Sequence, residues 1–153
     1  MRRRAIGYIE AVMAAAVLGI GLAAGLTAYG AFAQGVAADR EAAIATDLAA
    51  QLAAEIRTKA FEDPSAPIWG PESGENDGTR LQFDDVDDYD GWSASPQKLR
   101  DGTVMTEFAG FAQQVSVTND LVRGWKAITV TISKGGKKRA ELIMARARYD
   151  ADQ

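Results

Sequence analysis

The 153-residue chain contains no cysteine and no histidine. Their absence excludes thiol nucleophiles, disulfide frameworks, Cys/His zinc centres and imidazole acid–base catalysis. Proline is scarce, limited to Pro64, Pro67, Pro71 and Pro96. Together with Gly70, Gly74, Gly78, Gly91 and Gly102, these prolines deny long regular elements to the middle of the chain. An excess of positive charge is also missing. The 17 basic and 21 acidic residues give a net charge of −4, which argues against a nucleic-acid binder that would have to displace counterions from phosphate. The serines lack a histidine partner, and Lys134-Gly135-Gly136-Lys137 does not precede a helix as a phosphate loop must. Paired carboxylates occur only in one acidic run, whose flanking Gly and Asp are expected to offer no burial to split their pKa values. The chain is therefore expected not to be an enzyme. Its length suits one domain with an appendage.

Charge is missing altogether from Ala11 to Ala38, 28 residues rich in Ala, Val, Leu, Ile and Gly. About 20 such residues span a bilayer as a helix, and a helix is required there because each backbone amide must find its partner within the segment. Arg2, Arg3 and Arg4 on one side place the N-terminus in the cytoplasm and everything after roughly Ala38 outside it. Three readings of the segment are open. It is a plain membrane anchor, or a cleaved secretory signal with the small-x-small sequence Ala31-Phe32-Ala33 before Gln34, or an assembly helix. The third rests on Glu10, since an ionisable residue at the mouth of an apolar helix is costly and usually functional.

The opening MRRRA followed by Ile6-Gly7-Tyr8-Ile9-Glu10-Ala11-Val12 resembles the N-terminus of type IV prepilins and type II secretion pseudopilins. That family begins with a short basic leader, a cut after a small residue, an apolar first residue and Glu at the fifth position. Aligned on Glu10, the cut falls between Ala5 and Ile6, with Ala5 where the family usually has Gly. The resemblance implies that a prepilin peptidase removes residues 1–5 and methylates the new amine of Ile6. It also implies that Glu10 pairs with the amine of a neighbouring subunit during assembly on an inner-membrane platform. A buried carboxylate matched by such an ammonium sets register more than it adds stability. The simpler alternative is that Glu10 snorkels to the interface.

From Asp39 to Lys59 there is no Pro or Gly, and strong helix formers dominate. Ile44, Ala45, Leu48, Ala49, Leu52 and Ile56 recur on one helical face, leaving Arg40, Asp47, Glu55 and Arg57 outside it. A single helix of about 50 residues is the expectation, its first half in lipid and its second half on a soluble head. Gly21 and Gly25 form a small-xxx-small pair that permits close helix approach, and glycine is also simply common in membrane helices. Family members often carry Pro near the position of Thr27, where this chain has none.

Residues 60–110 hold three basic and twelve acidic residues and read as an irregular acidic loop region. Within it, Phe83-Asp84-Asp85-Val86-Asp87-Asp88-Tyr89-Asp90-Gly91-Trp92 packs five carboxylates into seven residues. Calcium, bound by about six to eight oxygens, would suit Asp84, Asp85, Asp87, Asp88 and Asp90. An EF-hand is not supported, because that register leaves Val86 first and Gln97 last, where acidic ligands belong. The alternative is a solvated acidic loop pinned to the head by Phe83, Val86, Tyr89 and Trp92. The run is similar to a segment of minor pilins of the mannose-sensitive haemagglutinin type.

The last third alternates as strands do. Gln113–Asn119 places Val115 and Val117 on one face, and Ala127–Ser133 does the same with Ile128, Val130 and Ile132. Residues 134–138 read as a hairpin loop, and Arg139–Arg148 returns through Leu142 and Met144. The basic loop would meet an acidic partner, such as the acidic loop of a neighbouring subunit, or protect an edge strand. The expected fold is α+β, a long N-terminal helix packed on a small antiparallel sheet. The expected divisions are a leader at 1–5, a transmembrane helix at 6–38, its exposed continuation at 39–59, the acidic region at 60–110 and the sheet at 111–153. The resemblance implies a non-enzymatic minor pilin or pseudopilin, single-pass in the inner membrane with its head in the periplasm before it joins a filament. Its partners would be the peptidase, other pilin subunits, the assembly platform and the bilayer. The alternative is an exported or membrane-anchored periplasmic binding module that depends on calcium.

Overall fold

The computed structural model describes residues 2–63, 68–75, 77–120 and 124–148, without the side chains of residues 2–6. Ala5 and Ile6, the residues of the expected cut, and Arg2–Arg4 therefore fall outside the described side chains. Met1, Pro64 and Pro67 fall outside the described residues. Helix α1 runs from Arg2 to Arg57, two residues short of the end expected from sequence. Its last turn tightens through Lys59 N–H to the Ile56 carbonyl at 3.0 Å and the Thr58 hydroxyl to the Glu55 carbonyl at 2.7 Å, which satisfies carbonyls that have no partner within the helix.

The chain divides into two compact units, 1–40 and 41–153. In the first, the apolar side chains face outward all round. Ile9, Val12, Leu18, Leu22, Leu26 and Phe32 are each more than half exposed. The stretch Gly7–Arg57 is long and apolar enough to cross a membrane. A Cβ added at Gly19, Gly21 or Gly25 would meet nothing within 4 Å, so packing within this chain does not demand glycine there.

The second unit is the α+β head expected from the sequence. Strands β1 (Ser93–Ala94), β2 (Phe111–Asp120), β3 (Trp125–Lys134) and β4 (Lys137–Ala147) form an antiparallel sheet in sequential order. The hairpin loop is shorter than expected. Gly135 and Gly136 alone make the turn, with φ of 58° and 75°, and two consecutive positive φ values match the right-handed strand twist. Strand β4 accordingly begins at Lys137, and a bulge follows Ile132. On α1, Ala45, Leu48, Ala49, Leu52, Ala53 and Ile56 are buried, a complete i, i+3, i+4 stripe. They form one core with the inward series Val115 and Val117 of β2 and Ile128, Val130 and Ile132 of β3. Each large apolar side chain so buried contributes about 1.5–3 kcal/mol. Glu55, expected outside the stripe, is instead turned inward, with its side chain only 19% exposed.

Within the chain, the basic hairpin pairs with a carboxylate on α1 and, among the described residues, not with the acidic loop. Lys134 Nζ and Arg139 Nη2 each lie 2.9 Å from a Glu41 oxygen. The hydrogen bond from Lys134 holds the Glu41 carboxyl below its usual range.

Ile56 is fully buried in the core, whereas Ile143 is 67% exposed on β4. Ile56→Ala should destabilise the head by about 2–5 kcal/mol. Ile143→Ala should stay within about 0.5 kcal/mol of the parent. Denaturant titration of the full chain in neutral detergent, followed by tryptophan fluorescence, reads both.

Candidate functional site

The segment between α1 and the sheet is irregular, as its prolines and glycines predict, but it is not solvated. Phe83, Val86 and Tyr89 are buried and Trp92 is half-buried. The Phe83 ring meets Tyr89 and Trp92 edge-on, with centroids 5.0 and 5.8 Å away. The three-residue spacing of these apolar positions thus pins the run as expected. Asp85, Asp87 and Asp88 are buried with them, while Asp84 is exposed and Asp90 half-buried. The expectation of a solvated acidic loop is corrected on this point.

Backbone amides and one ammonium explain how carboxylates tolerate this burial. Asp85 Oδ2 accepts the Asp63 amide at 2.7 Å, and Oδ1 accepts the amides of Asp87 and Asp88 at 2.8 and 3.3 Å. Asp88 Oδ2 accepts the amides of Asp84 and Asp85 at 2.9 and 3.0 Å. Asp90 accepts the Val117 amide at 2.9 Å and Trp69 Nε1 at 3.1 Å. Asp87 accepts the Gly70 amide at 3.3 Å and forms an ion pair with Lys126. Lys126 is 1% exposed. It also donates to the Phe61 carbonyl, and its ammonium lies 4.6 Å from the Phe61 ring centroid and 5.4 Å from that of Trp69. Burial, reinforced by Asp87 and Asp88, pushes the Asp85 carboxyl up to about 7. Burial also raises the Asp88 carboxyl. The run therefore does offer burial to its carboxylates, contrary to the sequence expectation.

Beside this turn, Glu55 organises a second polar cluster. Arg80 Nε and Nη2 each donate to Glu55 at 3.0 Å, and the Tyr89 hydroxyl donates to Glu55 Oε1 at 2.9 Å. Burial holds the Tyr89 phenol above its ordinary pKa, which keeps it a donor. The Arg80 guanidinium stacks 5.0 Å from the Trp92 ring centroid. With the Gln113 amide oxygen turned toward donors, it accepts Trp92 Nε1 and Arg80 Nη1, each at 2.9 Å.

Of the five aspartates in the run, Asp88 alone joins a group of three or more carboxylates whose oxygens lie within 4.8 Å of one another, counting the described residues. Its companions are Glu72 and Glu75. Asp84, Asp85, Asp87 and Asp90 are not gathered with it. Burial takes the Glu75 carboxyl up to about 7. Glu10 lies in the other unit, exposed on α1. An apolar groove of about 420 Å³ lies beside Ala53, Ile128, Leu142 and Met144, and it presents no convergent acid–base pair.

The chain matches no family model, no curated protein and no solved structure.

Sequence reasoning missed Lys126, Arg80, Glu72 and Glu75. For Lys126 the signal was present, since it stands two residues before Ile128 in the inward series of β3. Lys126→Met would strand a buried Asp87 carboxylate and should cost about 3–5 kcal/mol of head stability. Adding Asp87→Asn to that variant should recover about 1 kcal/mol or more, since the two residues couple directly. The same denaturant titration tests this. Equal losses in the single and double variants would assign the effect to packing.

Proposed function

We propose that this chain is a non-enzymatic structural subunit, a minor pilin or pseudopilin of a type IV pilus or type II secretion machine. The observation that carries the reading is the placement of Glu10. It is the one carboxylate before Asp39, on a helix whose apolar side chains are exposed among the described residues of their unit. A carboxylate among packed apolar helices needs an opposite charge, and a free amine at Ile6 of an adjoining subunit is the group that the leader sequence supplies.

Two further features support the reading. Helix α1 continues without a break from the apolar stretch into the residues that form the core of the head, a continuity that a cleaved signal peptide does not need. The exposed glycines are free to meet a second helix, since nothing in this chain occupies the space beside them. In this proposal the precursor spans the inner membrane once, with its N-terminus cytoplasmic and its head periplasmic. A prepilin peptidase cuts between Ala5 and Ile6 and methylates Ile6. The mature subunit then moves from the bilayer into a filament through contacts with other pilin helices and the assembly platform. The acidic turn and the absence of cysteine favour a minor subunit.

Intact and peptide mass spectrometry of the membrane fraction from the native host tests the proposal. The expected species begins at N-methylated Ile6. A start at Gln34 would overturn the reading in favour of an exported soluble domain, and an intact Met1 would overturn it in favour of a simple anchor. Glu10→Ala should leave membrane levels and head stability unchanged. It should deplete the chain from sheared filaments, because an unmatched ammonium in the helix bundle costs about 3–5 kcal/mol.

A further inference from the structure

The turn at 72–75 carries carboxylates that the fold brings to Asp88 with no ion pair to any of them among the described residues. Glu72 and Glu75 bracket a turn closed by the Glu75 amide on the Glu72 carbonyl at 3.1 Å, and Glu75 Oε2 accepts the Glu72 amide at 3.1 Å. Asp88 approaches from the buried 3-10 turn Asp87–Tyr89. Oxygens from all three side chains lie within 4.8 Å of one another.

The independent observation is Asp88 itself. Its residue is 1% exposed, and its Oδ2 is engaged by two backbone amides. Its Oδ1 is fully buried and has no hydrogen-bond partner. Glu72 Oε1 is buried and partnerless in the same way. Orphaned buried oxygens are rare and costly in native structures, and each calls for a ligand. Among the described residues no ion pair reaches Glu72, Glu75 or Asp88. The nearby Lys59 ammonium is bonded to the Phe83 carbonyl instead.

We propose that Glu72, Glu75 and Asp88 form a calcium site that ties the 72–75 turn to the buried acidic turn. Calcium binds oxygens at about 2.3–2.6 Å, so two of its ligands stand up to about 5 Å apart. Three carboxylates that offer only oxygen suit a hard cation of this kind, and calcium accepts the irregular geometry of a turn completed by water. Magnesium demands a near-ideal octahedron and gives up its waters reluctantly, which a turn of this kind does not favour. The ligand set differs from the run of five aspartates that the sequence suggested. Asp85, Asp87 and Asp90 are engaged by backbone amides, Lys126 and Trp69, and of the run's aspartates Asp88 alone belongs to a group of three carboxylates among the described residues.

The competing explanation is a proton shared between Glu72 and Glu75, which burial of Glu75 would favour. Isothermal calorimetry separates the two, using the full chain in neutral detergent at pH 7.5 after chelator treatment. Calcium chloride is the titrant, with magnesium chloride for comparison. The expected result is one calcium per chain, bound at least roughly tenfold more tightly than magnesium. Glu72→Gln and Glu75→Gln should each weaken calcium by roughly tenfold or more, while Glu107→Gln, exposed on the 3-10 turn Thr106–Phe108, should leave it unchanged. Asp88→Asn also removes backbone support and is not the deciding variant. The melting temperature of the parent chain provides a second readout, rising with calcium and returning with chelator. No binding up to about 10 mM calcium would overturn the proposal and leave the shared proton. Binding that survives both Gln variants would also overturn it, by placing the ion elsewhere.

Discussion

The ion pair between Lys126 and Asp87 is the contact on which the rest of the head depends, because it joins the sheet to the acidic turn inside the core. Both groups are almost fully buried, and neither would tolerate that position alone. Lys126 is held at the start of β3 by its pairing opposite Asn119, so its ammonium is delivered to a fixed place. The segment Phe83–Trp92 must then pass that place with Asp87 inward. Once it does, the three-residue spacing carries Phe83, Val86 and Tyr89 into the same core. The hydrophobic positions fix which way the turn faces, and the charge pair fixes where along the sheet it sits.

Backbone amides do the remaining work. The segment lacks long elements, so many of its N–H groups have no strand or helix partner, and buried unpaired donors are costly. Asp85, Asp87, Asp88 and Asp90 serve as their acceptors, reaching residues 63, 70, 84, 85, 87, 88 and 117. Acidic density here replaces secondary structure. The aspartates hold an irregular chain in one conformation, much as ladder bonds hold β2 to β3. The segregation of charge along the sequence has the same origin. The acidic middle requires cations from the basic last third, and Lys126 supplies one inside the head. Arg80, within the acidic region, is matched by Glu55 of α1.

The strands and the helix were legible because their apolar periods are long and uninterrupted. Val115 with Val117 and Ile128 with Val130 and Ile132 could be assigned to one face from alternation alone. Leu48, Leu52 and Ile56 could be assigned to one helical stripe in the same way. What escaped was polar and inward. Glu55 was placed outside because a carboxylate on a helix is usually solvated, and its partners Arg80 and Tyr89 lie 25 and 34 residues away. Lys126 continues the alternation of β3, yet a lysine at an inward position is read as a strand end unless its counter-charge is known. The aspartates gave the opposite error. Their density was visible, but whether they face water, amides or a cation depends on turns that span Gly70, Glu72 and Glu75. No local pattern encodes that approach.

The two parts of α1 meet different demands within one element. From Glu41 onward each charged residue that turns toward the head has a named partner, Glu41 with the hairpin and Glu55 with Arg80. Before Asp39 the helix carries no charge back to Glu10, and its apolar side chains have no counterpart within their unit. Burial and charge therefore change together, within a few residues of Arg40, where the two compact units divide. A helix that served only as the back of a small sheet would have no use for 28 uncharged residues before Asp39. This stretch is long and apolar enough to cross a membrane, and on the proposed reading Glu10 is the feature that a plain lipid anchor would not need. A carboxylate is costly to place in hydrocarbon. On the proposed reading Glu10 serves because the surroundings of the helix change, from lipid to a bundle in which an ammonium waits at its level.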